Sequence, residues 1–446
     1  MPTDPHIRAP DATIDRAGVL WSNSVAQLIG VVCARISRAA GILFAARTLG
    51  PDAFGRVATG LAGYEMLRVI GEAGLDTRLI RHAAQDPTVA LTAARHTIWL
   101  KIRLYVIAAL AGLVIAATTS GLSGAAMLGA LAIGTLGTAV VGSAQAIATA
   151  RLDARSLIAY QAAAGILFFI LVTGATRVAG TPLGTAVAIG IGDLLAGAVM
   201  LAYARLPLRS WGRPTPAAAD WAALRESWPI AAIGIVGTTY TRLGVAGLAL
   251  LWGSAAVAQY GVSYRLVEVF LLASSAVTGS AYAVTSRIDA EKGAQGSRPL
   301  LEAILRRVAV PVLILSTLVV IGAPLLPVLF GASYQPAVAT TRVLAWALPA
   351  MFVNGLLTAH LYGRGRFPTV LRIALVNLVV NVLALAVLLP RNGPPAAAMA
   401  VVCTECGNTV LQSRAAGLGA AAWSIRVAAT SLAAGALMFW MAIHGR

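Results

Sequence analysis

The stretch GILFAARTLGPDAFGRVATGLAGYEMLRVIGEAGL, Gly41–Leu75, reads as the end of one apolar helix, a glycine–proline turn and a second helix. The second helix carries Glu65, Arg68 and Glu72, and the first adds Asn23, Gln27, Arg35 and Arg38 upstream of the turn. A mid-helix arginine in lipid costs about 3 kcal/mol on insertion scales. Both helices are therefore expected to line a protein interior or a wet cavity rather than face hydrocarbon.

The chain around them is apolar. Of its 446 residues 58% are hydrophobic and 11% charged, whereas a soluble domain carries about 25% charged residues. Runs of about 20 apolar residues, the length needed to cross a bilayer, recur from end to end. We expect an all-α polytopic membrane protein with spans near 21–46, 54–79, 98–118, 124–148, 156–177 and 182–205. After the connector Pro207–Arg225, a second set follows near 228–252, 257–286, 306–330, 337–361, 368–389 and 395–413, with a thirteenth apolar run at 423–443. That last run either spans or lies along the surface. The polar head Met1–Gly18 leads to no small-residue cleavage site, so the first helix is expected to persist as a span.

The basic residues orient the chain. With the N-terminus inside, 23 lysines and arginines fall in cytoplasmic segments and five outside: Arg47, Arg56, Arg177, Arg391 and Arg446. This predicts a cytoplasmic N-terminus and twelve core spans, and it accounts for most of the formal charge of +17. No nucleic-acid partner is read from that charge.

Six spans on each side of a connector suggest a repeat. A shift of 203 residues places Gly50 on Gly253 and Glu65 on Glu268 in the same orientation, a parallel six-plus-six duplication. The expected division is a tail 1–20, a first lobe 21–206, a connector 207–227, a second lobe 228–414 and a C-terminal helix 415–446. Transporters built from such halves hold their site between them, near the midplane.

Charged residues left inside the spans are Arg35, Arg38, Arg68, Arg242, Arg265 and Arg342, with Glu65, Glu72, Asp193, Glu268 and Glu405. At about 100° per residue, Asn23, Gln27, Arg35 and Arg38 share a face of the first helix, and Tyr64, Glu65, Arg68 and Glu72 share one of the second. Tyr260, Tyr264 and Glu268 share a face of the eighth, with Arg265 at its margin. Candidate cavity residues are Asn23, Gln27, Arg35, Arg38, Arg68, Arg242, Arg265 and Tyr264. Glu65, Glu72, Glu268, Asp193 and Glu405 are candidates for charge balance or ion coupling. The alternative is purely structural: Glu65–Arg68 and Arg265–Glu268 are spaced for local pairing, and Arg35, Arg38 and Arg242 could pair across helices with Glu72 or Asp193. Arg342 reads as an interfacial snorkeler, Asn377 and Asn381 as interhelical hydrogen-bond partners, and Pro349 as a bending point or a packed kink. Cys33, Cys403 and Cys406 read as buried small hydrophobes, since the C-x-x-C pair lacks a second pair or a nearby histidine for zinc. No nucleophile, metal or phosphate-loop motif is present, so neither catalysis nor a cofactor is expected.

The turn Ala46–Gly55, ARTLGPDAFG, and Gly74–Arg81, GLDTRLIR, resemble the N-terminal signature of bacterial polysaccharide-repeat (Wzx-type) flippases of the multidrug/oligosaccharidyl-lipid/polysaccharide (MOP) exporter superfamily. VAQYGVSYRLVEVFLLASSAV, Val257–Val277, resembles the second-half counterpart. The resemblance implies two six-helix lobes around a central cavity and alternating access. It implies a polyprenyl-diphosphate-linked oligosaccharide moved from the inner to the outer leaflet of the bacterial cytoplasmic membrane, for surface polysaccharides such as O-antigen or exopolysaccharide. A cationic lumen in the family matches Arg35 or Arg38, Arg68 and Arg265 here. Implied partners are the lipid-linked glycan, membrane lipids and a polysaccharide polymerase or export complex, with the transporter itself a monomer. Three rivals remain: an organic-cation antiporter of the same superfamily, a flippase for a lipid-linked peptidoglycan precursor, and a non-transporting scaffold. The antiporters typically use an acid in the first helix or first lobe, and the first helix here has two arginines and no acid.

Overall fold

The computed structural model describes residues 12–85, 90–150, 156–203, 217–292, 296–419 and 422–444, and these are helical with short breaks and no strand. The first half contains α1 (Ala12–Glu72), α2 (Leu75–Gln85), α3 (Ala90–Ala132), α4 (Gly134–Ala150), α5 (Ser156–Ala179) and α6 (Pro182–Tyr203). The second contains α7 (Ala217–Leu251), α8 (Gly253–Lys292), α9 (Arg298–Gly322), α10 (Leu326–Phe330), α11 (Ala337–Leu344), α12 (Ala347–Gly363), α13 (Phe367–Ala415) and α14 (Trp423–His444).

Three of these runs are hairpins. α1 reverses at Gly50, α3 at Gly121 and α13 at Gly393, each with non-helical backbone at that residue. Bonds and packing across each turn show the reversal. Arg38 and Tyr64 reach the same carboxylate, Gly112 packs on Leu128, and Asn381 bonds Thr404. With α1, α3 and α13 split at these turns, α3 running on into α4, α9 into α10 and α11 into α12, and the short α2 and the additional α14 set aside, the described helices make the twelve expected passes. Eight stretches among the described residues are long and apolar enough to cross a membrane.

The repeat is visible in the backbone. Gly50 and Gly253 have φ of 76° and 78° at equivalent turns, a left-handed conformation that glycine adopts without a Cβ clash. Pro51 then occupies the first position of the returning helix, where its missing N–H costs nothing. Prolines also set the breaks of the second half. Pro349 has no N–H to donate to Ala345, and the helix expected across 337–361 is interrupted at 345–346. The bend thus lies one turn before the proline, at the start of α12. Pro324 and Pro327 likewise divide the expected span 306–330 into α9, a short tight turn and α10.

Two expectations are corrected. The second span ends at Glu72 rather than near 79, because Ala73 and Gly74 turn to φ of 43° and 70°. α2 is a separate short helix. Cys33 is exposed, whereas Cys403 is partly and Cys406 fully buried. The undecided C-terminal run is now placed: Ser424 bonds Ser413 at 2.7 Å, and Gly435 packs against Val402. Equal steps in opposite senses along α14 and α13 make α14 an antiparallel neighbour that traverses the bundle.

One of the two lysines is part of the core. Lys101 is fully buried and donates to Asp76 at 2.5 Å, with the Ser143 hydroxyl 3.5 Å from the same carboxylate. Sequence reading placed Lys101 among the cytoplasmic charges and did not single out Asp76. Asp76→Ala leaves a buried ammonium without its partner, a change that costs about 3–5 kcal/mol. Thermal unfolding in detergent should show that loss, and Lys101→Met in the same background should recover much of it.

Candidate substrate cleft

The charged residues form two groups, one within the first half on α1 and α6 and one where α1 meets α7 and α8 of the second half. Arg38 forks onto Asp193 with contacts of 2.5 and 3.2 Å, and the Tyr64 hydroxyl donates to the same carboxylate at 2.6 Å. The Arg38 guanidinium also lies 3.9 Å from the Phe168 ring centroid. Asp193 is 4% exposed and its oxygens are occupied by three donors. It is a structural anchor tying α6 to both arms of α1, and this is the cross-helix partner foreseen for Arg38.

Glu65 does not pair up its own helix with Arg68. It reaches across to the second half, bonding Arg242 on α7 and Arg265 on α8, the latter at 3.3 Å. Glu268 binds the same two arginines, Arg265 at 2.7 Å and Arg242 at 3.5 Å. Two glutamates related by the internal repeat thus grip one pair of arginines. Only Glu65 belongs to the first half. Tyr264 supplies a ring 5.5 Å from the Arg242 guanidinium.

Arg68 is held more loosely. Its one acidic partner among the described residues is Glu72 at 3.5 Å, at the limit of a useful contact, and its Nε is buried without a hydrogen-bond partner. The side chain is nevertheless 38% exposed, so its tip opens into space. Arg35 is exposed and makes no ion pair with a described residue. It projects about 60° around the helix from Arg38. Asn23 and Gln27 lie on α1 in a part whose side chains are outside the described set.

Glu65, Arg68, Arg242, Arg265 and Glu268 sit at mid-helix depth yet retain accessibility, and the halves pack together at both ends. At the end carrying Gly50 and Gly253, Ala45, Phe54, Val57 and Leu61 bury against Ala258, Val262 and Phe330. Tyr334 donates to the Ala46 carbonyl at 2.9 Å and Arg47 to that of Leu329 at 3.0 Å. At the other end α7 docks on the first half: Arg78 bonds Glu226 at 2.7 Å and Arg103 bonds Asp220 at 2.5 Å. His82 and His96 contact the same two acids.

Glu405 lies elsewhere, in the interior of the second half. It accepts from Tyr240 at 2.9 Å and from the Asn354 amide at 2.7 Å, while Thr409 donates to Asn354. Asn354 was missed from sequence; a single asparagine amid apolar residues of the tenth span was the available signal. Asn381 bonds Thr404 at 3.1 Å, as the interhelical role expected of it requires. Arg342 is exposed at the end of α11. Among the described residues no group of acids, histidines and cysteines is arranged to hold a metal.

The duplicated halves with charged residues between them define the class: a multi-pass helical membrane protein whose fold is that of solved MOP-superfamily transporters. Solved structures share it along nearly the whole chain. A multidrug-resistance MATE-family transporter of the MOP superfamily in its inward-facing conformation has a TM-score of 0.68 at 15% identity, covering 96% of this chain and 99% of that one. The eukaryotic MATE transporter AtDTX14 gives 0.63 at 15% identity, covering 95% and 100%. A MOP-superfamily transporter from Pyrococcus furiosus gives 0.62 at 14% identity, covering 95% and 96%. Among curated proteins none matches the chain. The family profile for polysaccharide biosynthesis proteins matches residues 44–339, and the chain belongs to that family.

Proposed function

We propose that the protein is a flippase for a polyprenyl-diphosphate-linked oligosaccharide, carrying it from the inner to the outer leaflet of the bacterial cytoplasmic membrane for surface polysaccharide assembly. The observation that carries the reading is Arg68, a guanidinium beside the interface cluster whose one acidic contact among the described residues is Glu72 at 3.5 Å, with Arg35 exposed on the same hairpin, whose first arm has no acid within its span. A diphosphate is the part of the substrate that a low-dielectric path opposes most, and arginine's planar fork matches phosphate oxygens. The sugar would use the wet cleft, and the polyprenyl tail would remain in lipid beside it. Membership of a polysaccharide biosynthesis family supports the same substrate class.

The MATE-type neighbours favour an organic-cation antiporter only through fold. Their likeness is at 15% identity, and the uncommitted charge in this cleft has the wrong sign for a cation. The Pyrococcus furiosus relative is itself described as having a binding pocket of reversed polarity that suggests a different function. A lipid-linked peptidoglycan precursor shares the diphosphate and differs in the sugar.

The test is reconstitution in vesicles with a fluorescent polyprenyl-diphosphate sugar on one leaflet. Protein-dependent loss of that asymmetry is expected. Retained asymmetry, together with proton-driven uptake of an organic cation, would replace the reading with the antiporter. Equal movement of a peptidoglycan precursor would widen the substrate class to lipid diphosphates in general.

A further inference from the structure

We infer that the four-residue cluster Glu65–Arg242–Arg265–Glu268 is a latch between the halves that an incoming diphosphate opens by competing with Glu65 for the two arginines. The inference rests on the flippase reading and adds to it the step by which substrate charge reaches the moving parts.

The argument starts from asymmetry within the cluster. Arg242, Arg265 and Glu268 all belong to α7 and α8, so their mutual bonds hold one half together in any arrangement of the two halves. Glu65 alone comes from α1, and both of its bonds cross the interface. Losing it separates nothing within either half. It removes only the ionic tie between them at mid-depth.

The second element is what the arginines can accept. Each bonds two carboxylates, so Glu65 occupies the place an anion from the cleft would take. The side chains of Arg242, Arg265 and Glu65 are 17%, 22% and 23% exposed, and an anion can therefore reach them without unfolding a helix. Arg242 also keeps a buried Nε without a partner. A diphosphate brings more oxygens and more charge than one carboxylate, and at a paired guanidinium site it displaces the weaker acceptor. A ligand shifts a two-state equilibrium only by binding the two states differently. Here the difference is built in, because the latched state keeps Glu65 in the binding place and the open state vacates it.

The latch makes two glutamates with like surroundings differ in effect. Glu65→Gln and Glu268→Gln each free the arginines of one competitor, so both raise diphosphate affinity, by about five- to tenfold for a coupling of this kind. Only Glu65→Gln also loosens the halves. The experiment uses the full chain in lipid nanodiscs, with the native cysteines replaced. Spin labels are placed at Leu91 and Arg414 in one variant and at Ser123 and Arg391 in another, pairs exposed on opposite halves. Distance distributions are recorded with and without polyprenyl diphosphate, and its binding is titrated in parallel.

The expected result is a ligand-dependent distance shift in the parent, the same shift without ligand in Glu65→Gln, and no ligand-free shift in Glu268→Gln. Should Glu65→Gln fail to reach the membrane, Glu65→Asp, which withdraws the charge by one methylene, is expected to give a partial shift. Binding to the parent with Glu65→Gln unchanged in both distance and affinity would overturn the latch and leave the flippase reading standing. A Glu65→Gln that binds more weakly would also overturn it, since that marks Glu65 as a support for the site. Absence of polyprenyl diphosphate binding to the parent and to every variant would remove the flippase reading and the substrate-opened latch together.

Discussion

Replacing Arg35 and Arg68 together by alanine lowers transport of the lipid-linked glycan by at least about 100-fold while the protein remains folded in the membrane. The magnitude follows from two charge-assisted hydrogen-bonding sites, each worth about 1.5–3 kcal/mol, and each factor of ten corresponds to about 1.4 kcal/mol. The retained fold follows from how little the two side chains contact within the protein. Arg35 pairs with no described residue, and Arg68 has only a 3.5 Å contact with Glu72. The flipping assay in vesicles reads the transport loss, and thermal unfolding of the same sample reads the fold. Wild-type rates in the double variant would remove these residues from the substrate path. Arg38→Ala is a poor substitute for this test. It leaves Asp193, 4% exposed, as a buried carboxylate without its cation, which costs about 3–5 kcal/mol whatever the substrate.

The second large effect is expected at Gly55→Ala. A Cβ at Gly55 would lie 1.8 Å from the Ser254 carbonyl oxygen and 2.8 Å from its Cα. Those atoms are backbone, at the turn where the second half begins its own hairpin, so no side-chain rotation relieves the clash. Overpacking in a rigid contact typically costs about 1–3 kcal/mol, and here the relief available is separation of the two turns. Gly55→Ala is therefore expected to part the halves at that end, exposing the buried contacts of Val57 and Val262, and to reduce transport by at least about tenfold. Thiol labelling of Val262→Cys in the variant background checks it: fast labelling with Gly55→Ala, slow labelling without. Gly174→Ala, where a Cβ meets nothing within 4 Å, serves as the control. Slow labelling in both backgrounds would mean the turns do not approach in the membrane as they do here.

Much of the fold was legible because lipid restricts what a chain can do. Apolar length announced most passes, since an unsatisfied backbone cannot remain in hydrocarbon, and the turns at Gly50, Gly121, Gly253 and Gly393 fall where glycine allows a reversal. The shift that paired Gly50 with Gly253 relied on a conformation glycine alone enters cheaply, and both residues adopt it. Interruptions within spans were harder to see. Pro349 was visible as a bending point, but the place of the break depends on which carbonyl loses its donor.

Of the charges singled out inside spans, Glu65, Arg242, Arg265 and Glu268 come together, but their pattern of partners was not legible. Charge inside a span says that a residue turns from lipid, and helical periodicity says which residues turn together. Neither states which acid meets which base. Glu65 and Arg68 are three apart and suited to local pairing, yet Glu65 points to Arg242 and Arg265, 177 and 200 residues away. Asp76 and Lys101 were passed over because each sits at a span boundary, where a charge normally meets water.

The sequence by itself determined the solvent, the helical passes, the duplication and the list of charges inside the spans. Those follow from hydrophobic length and local backbone preference, which act within a few residues along the chain. Only the tertiary structure decided that Asp193 belongs to Arg38 and Tyr64, that Glu65 bridges the halves, and that among the described residues Arg35 has no ion-pair partner and Arg68 only a 3.5 Å contact. Ion pairing is settled by proximity in space, and in a bundle of long helices the nearest charge is seldom the nearest in sequence.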